Sequence, residues 1–475
     1  MNDPRLYLPV LFTVVTIALV SLNGRRKLVS PLITIPWVIN LVLWAAMPFI
    51  IQMFLTEGLD TSEGPLTRNQ LQILHSTTIM VLVLLHMGLR RPLMQPVTSF
   101  FDRLAPEGRS LFVPTLIVLI VMLVAELRLS QVDGGTFAET VSVVATADAG
   151  QLAQSGLLGS LLMLLVGFGF AVISLGRREQ VTTATLCLAW AALLMYCAFA
   201  ISRGTRAGVL VPAAAGVIAI STLRGQVRRR AIIGVSALGI VTVAIGAPVA
   251  AVMGVVRNAA TIDVIAVQDA YNTLLGGSSL GSRVELIATE VNRKFDALTP
   301  GLELLAMEPP GSAGLRPIFS AALSPIPRII FPGKPVPTSR DGTQLGIPYR
   351  VAAKAFGDPE LGQVMPVSAS AIALWEFGWL GPLVLVLANL LSLVLLNSVF
   401  LSKNVYVRAI GLSVVGLPIC EFFIGHPSAL VQNSLRLCLY LAITAMIGLA
   451  YEQVVRAVRL RRPMRDTVRV AAGGA

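Results

Sequence analysis

The chain has 475 residues, 55% hydrophobic and 13% charged, with a mean hydropathy of +0.77, which a water-soluble surface does not carry. Its apolar stretches are near twenty residues long and lack a short alternating pattern, which excludes a membrane barrel and leaves helices, since backbone in lipid must satisfy its own hydrogen bonds. The formal net charge of +12 follows from the topology set out below, so nucleic-acid binding is not implied.

The pattern predicts an all-α polytopic membrane protein of about 11 transmembrane helices, over 6–22, 31–55, 69–89, 111–129, 151–175, 181–201, 207–223, 231–256, 379–400, 407–424 and 429–451. Each is about long enough to cross a hydrocarbon core of ~30 Å. In the first, the basic cluster Arg25, Arg26 and Lys27 follows the apolar run instead of preceding it, the reverse of a cleaved signal. The expected organisation is a bundle of eight helices over 1–256, a large extracytoplasmic loop over 257–370, three last helices over 371–455 and a basic cytoplasmic tail over 456–475. Cys187, Cys197, Cys420 and Cys438 all fall in apolar stretches without C-x-x-C spacing, which points to packing and not to a disulfide or metal framework.

Loop charge sets the orientation. With the amino terminus outside, the inside segments hold 21 basic residues against five acidic ones, so the positive-inside rule places the carboxyl terminus in the cytoplasm. The exception is the turn Ser202-Arg203-Gly204-Thr205-Arg206, which sets two arginines on the outer side.

The 257–370 stretch is too long for a plain connector. Within it Ser282-Arg283-Val284-Glu285 reads as a capping box, and Val284, Ile287, Val291, Phe295 and Leu298 recur at helical spacing, predicting an amphipathic helix near 282–298 that packs on its neighbours. Ser324 to Pro335 then carries four prolines that stiffen the backbone between Arg328 and Lys334, an arrangement suited either to an anion or to plain solvation. Arg340 and Arg350 follow in an irregular run. The chain re-enters through Pro366 to Pro382, where Glu376 has aromatics on both sides and is either a snorkelling interfacial carboxylate or a functional one. Near the end come His426 in the turn Gly425-His426-Pro427, and Arg436, which shares a helix face with Gln432. A histidine titrates near neutral pH and suits proton transfer, and an arginine inside a span marks a functional site by default. His75 and His86 lie on one apolar span and read as structural.

Under this topology Arg203, Arg206, Arg328, Lys334, Glu376, His426 and Arg436 all fall at the outer side. Arginines make bidentate, always-charged contacts to phosphate oxygens, which suits a lipid-linked pyrophosphate. There is no G-x-x-x-x-G-K-[ST] cradle and no metal-ligand cluster on any predicted helix.

At these residues the chain resembles the oligosaccharide repeat-unit polymerases, the O-antigen polymerase-like proteins related to O-antigen ligases. The resemblance rests on the Ser202-Arg203-Gly204 turn between helices, on Ile326-Pro327-Arg328 through Lys334-Pro335, and on Trp375-Glu376-Phe377-Gly378-Trp379-Leu380-Gly381, over roughly residues 190–400. It implies a GT-C-like bundle in the bacterial cytoplasmic membrane, working without metal or other cofactor. The implied reaction is transfer of an undecaprenyl-pyrophosphate-linked glycan to a lipid-linked repeat unit at the outer face, with a chain-length regulator and a flippase as partners. Arg203, Arg206, Arg328, Lys334, Arg340 and Arg436 would hold the pyrophosphate and stabilise its developing charge. Glu376 or His426 would accept the acceptor's proton. Three alternatives stay open: an O-antigen-ligase-like enzyme, a GT-C transferase using Glu57 or Asp60 on a polyprenyl monophosphate sugar, and a lipid-linked glycan transporter.

Overall fold

The computed structural model describes residues 8–24, 65–88, 91–104, 115–121, 124, 169, 172, 182–202, 298–323, 367–404, 407–411 and 427–472. Among them regular structure is entirely helical, with no strand. The principal helices are α1 (Leu8–Gly24), α2 (Arg68–Gly88), α3 (Arg91–Leu104), α4 (Thr183–Ser202), α5 (Leu298–Met307), α6 (Arg316–Leu323), α7 (Ala369–Phe377), α8 (Gly381–Leu401) and α9 (Pro427–Ala472).

Helices α1, α2, α4, α8 and α9 stand where the sequence predicts spans over 6–22, 69–89, 181–201, 379–400 and 429–451. The spans expected at 111–129 and 407–424 are described chiefly at 115–121 and 407–411; those at 31–55, 151–175, 207–223 and 231–256 lie, single positions apart, outside the described residues. Two stretches among the described residues, Ala369–Val399 and Leu437–Val458, are long and apolar enough to cross a membrane.

Local chemistry sets the helix starts. Gln70 N donates to Thr67 Oγ1 at 3.4 Å while Thr67 N donates to Gln70 Oε1 at 2.9 Å, a reciprocal cap that fixes the first turn of α2. Thr182 does similar work for α4, its Oγ1 accepting from Thr185 N at 3.3 Å.

The stretch Ala369–Val399 is not one rod. A Cβ on Gly381 would lie 2.2 Å from the Ala373 carbonyl oxygen, whereas eight residues along a straight helix separate two positions by about 12 Å. The chain therefore turns back through a 3-10 turn at Gly378–Leu380. Helix α7, with nine residues, is roughly 13 Å long and too short to span, while the 21 residues of α8 reach about 31 Å.

Helix α7 is the centre of the described structure, and every residue from Ala369 to Glu376 is buried. Ala371, Ile372, Leu374 and Trp375 share one core with Leu66 and Leu71 beside α2 and with Leu298, Leu302, Leu304 and Leu305 of α5. Ala369 and Ala373 pack with Leu385 of α8. A helix apolar on every side has to be enclosed on every side, and these neighbours enclose it.

Part of the expected loop domain belongs to this enclosure. Helices α5 and α6 fall within 257–370 and pack on α2, α7 and α9, while most of the amphipathic segment expected at 282–298 lies outside the described residues. Between α5 and α6, Gly311 N donates to Leu374 O at 2.9 Å and Ala313 N to Trp375 O at 3.2 Å; Leu374 O also accepts from the capping Gly378 N–H, so this segment is tied to the carbonyl end of α7. Gly311 (φ +83°) and Gly378 (φ +58°) meet at this seam; a Cβ on Gly311 would sit 3.5 Å from Gly378 Cα. Side chains at both positions would be strained by backbone conformation alone.

Helix α8 is inverted relative to a helix in a water-soluble protein. Leu383, Leu387 and Leu391 are exposed while Asn389, Ser392 and Asn397 are buried, the distribution expected where the surrounding solvent is apolar and polar groups join helices from within. At its far end Ser402 Oγ donates to Asp102 Oδ1, and Asn404 N donates to the same oxygen at 3.4 Å. These bonds bring α3 and residues 402–404, both assigned to the cytoplasmic side from sequence, to one end of the helices. The final helix, α9, continues without a break through the expected boundary between span and basic tail: its 46 residues extend about 69 Å.

Candidate functional site

Two polar groupings flank α7. The first contains Glu376, a catalytic candidate from sequence. Its residue is 1% exposed, and Ser428 Oγ, at the start of α9, donates to its Oε1. The carboxylate is therefore held inside the fold and does not snorkel to an interface. Beside it, Trp375 Nε1 donates to Glu308 Oε2 at 2.7 Å, fixing the indole against the segment that follows α5. A carboxylate enclosed this way is oriented by its donor, and a base needs such orientation before it needs strength.

The second grouping was not recognised as a site from sequence. On α2, Arg68, Gln72, His75 and Ser76 recur at i, i+4, i+7 and i+8, and all four are buried, forming a polar stripe on one face of the helix. Arg68 Nη1 donates to Thr299 Oγ1 of α5 at 2.5 Å. His75 Nδ1 and Ser370 Oγ, in the first turn of α7, share a hydrogen bond of 3.0 Å. Ser368 caps that turn, accepting from Ala371 N at 3.3 Å, and lies against Gly301, where a Cβ would come within 3.0 Å of its Oγ and 2.7 Å of Ala371 Cβ. The bare glycine lets α5 approach α7 closely enough for the three helices to meet at one corner. The other ring nitrogen, His75 Nε2, is buried with no hydrogen-bond partner among the described residues. The spacing of Arg68, Gln72, His75 and Ser76 is legible in the chain as a helical stripe, although the expected span at 69–89 begins one residue after Arg68.

The remaining candidates are not brought together within the described residues. Arg203, Arg206, Arg328, Lys334, Arg340 and His426 lie outside them, as does the side chain of Arg436, whose backbone forms part of α9. His426 precedes the Glu376 partner Ser428 by two positions in the chain. Compared with known proteins, the chain matches no family model, no curated protein and no solved structure.

Proposed function

We propose that the protein is a polysaccharide polymerase, a metal-independent glycosyltransferase of about eleven spans in the bacterial cytoplasmic membrane, with its amino terminus outside. It transfers an undecaprenyl-pyrophosphate-linked glycan to a lipid-linked repeat unit at the outer face. The observation that carries the reading is the buried carboxylate of Glu376, oriented by Ser428 at the turn where α7 reverses into α8. That turn stands at the end of α8 opposite Asp102 and Ser402, which is the outer end in the orientation derived from loop charge. A base there lies, enclosed, at the end of the helices nearest the compartment in which a lipid-borne acceptor hydroxyl would be deprotonated. Arg203, Arg206, Arg328, Lys334, Arg340 and Arg436 serve the leaving pyrophosphate, and His426 is the alternative base.

Reconstitution with a lipid-linked repeat unit and no nucleotide sugar tests this reading, with a ladder of elongated products expected. Arg203→Ala is expected to abolish the ladder while Asp60→Asn leaves it intact; the reverse result would point to a monophosphate-sugar transferase. A single transferred glycan in place of a ladder would mark a ligase.

One observation favours transport as a second reading. Asn389, Ser392 and Asn397 are buried polar residues along α8, uncharged groups of the kind a path across the bilayer would use. Substrate that changes leaflet without lengthening would favour it.

A further inference from the structure

The corner between α2, α5 and α7 contains a buried hydrogen-bonding atom left unengaged among the described residues. His75 is 2% exposed; its Nδ1 is engaged by Ser370, and its Nε2 has no partner among the described residues. A buried polar atom left in this state costs free energy that packing does not return, so it calls for a ligand or a water. We propose that His75 Nε2 donates a hydrogen bond to a phosphate oxygen of a lipid-linked diphosphate, making this corner the inner end of the diphosphate site.

The chemistry of the surroundings suits such a ligand. An ionised phosphate oxygen only accepts, which requires the tautomer in which Ser370 donates to Nδ1 and Nε2 carries the proton. The pair sits against the capped first turn of α7, where the partial positive charge of a helix start favours an anion. Arg68 lies two turns from His75 on the same face of α2 and is anchored to Thr299, so a fixed guanidinium and an imidazole N–H line one stripe. Glu303 follows Thr299 by one turn of α5, so the neighbourhood is not purely cationic, and the choice of a diphosphate as the ligand comes from the proposed function.

The assignment rests on the proposed function and is tested so that the two fail separately. Asparagine at position 75 places its amide where Nδ1 lies, keeping the Ser370 bond and removing the ligand contact; glutamine reaches the Nε2 position instead. Full-length protein in nanodiscs is titrated with undecaprenyl diphosphate and with inorganic diphosphate, and thermal stability is recorded in parallel. His75→Asn is expected to keep the wild-type melting temperature and to weaken undecaprenyl diphosphate binding by roughly tenfold to a hundredfold, the weight of one hydrogen bond to a charged group. His75→Gln is expected to bind nearly as wild type. Equal affinity in wild type and His75→Asn overturns the assignment while leaving the polymerase reading intact. Wild-type protein that binds neither compound overturns both. The same dependence on position 75 with inorganic diphosphate supports the donor assignment and names the free anion as a ligand of the corner. If His75→Asn does not fold, His75→Phe, which keeps a ring but cannot donate, decides instead: weakened undecaprenyl diphosphate binding supports the contact and wild-type affinity overturns it.

Discussion

At the scale of single residues, the telling comparison is between Glu376 and its donor. Glu376→Gln keeps an acceptor for Ser428 Oγ and removes the proton-accepting carboxylate, so it is expected to fold normally and to lose about 10²–10⁴-fold in transfer. Ser428→Ala reverses the pattern: it leaves the carboxylate in place but takes away a buried donor, with an expected cost of about 1–3 kcal/mol in stability, read by thermal unfolding in detergent. A glutamine variant with undiminished transfer would remove Glu376 from the mechanism and direct attention to His426. The residue-level features differ in how far the sequence reveals them. A carboxylate between aromatics is conspicuous in the chain, and so Glu376 was found; its partner is not, because Ser428 lies 52 positions away and a serine at a helix start reads as a cap. The stripe of Arg68, Gln72, His75 and Ser76 has plain helical spacing, yet only the packing of α5 and α7 against that face shows it to be interior.

At the scale of elements, the reversal between α7 and α8 governs how the site is presented. Gly381 meets backbone atoms of Ala373, which cannot yield as a flexible side chain would, whereas Gly378 is constrained by its φ of +58°. Gly381→Ala is therefore expected to cost at least the upper part of the about 1–3 kcal/mol typical of overpacking, and Gly378→Ala about 1–3 kcal/mol through backbone strain. Both are measured as shifts in melting temperature, and a Gly381→Ala protein as stable as wild type would contradict the close approach. Glycine and proline punctuation around Gly378-Trp379-Leu380-Gly381-Pro382 announced a break here, so the start of α8 was legible. The independence of α7 was not, because nine apolar residues before a span look like its first turns until contacts show the axis turning back. In the same way Leu298-Thr299-Pro300-Gly301 discourages a helix by propensity, but burial of Leu298, Leu302 and Leu305 overrides it.

At the scale of the whole molecule, the ends of the helices make the topology testable. With native cysteines replaced, a cysteine at the exposed Ser312 position, between α5 and α6, is expected to react with a membrane-impermeant maleimide in intact cells. One at the exposed Lys403 position, beside Asp102 and Ser402, is expected to react only after permeabilisation. The opposite pattern would invert the protein and with it the outer-face chemistry. The seam at Gly311 and Gly378 bears on how the protein can be studied. Because amides of Gly311 and Ala313 bond to the carbonyl end of α7 and the leucines of α5 complete its core, the 298–323 stretch is no detachable unit. Expressed alone, it would offer water the greasy flank it normally presses onto its neighbours and would aggregate; deleted, it would strip the central plug of its lining, so structural work is better served by the intact chain in lipid.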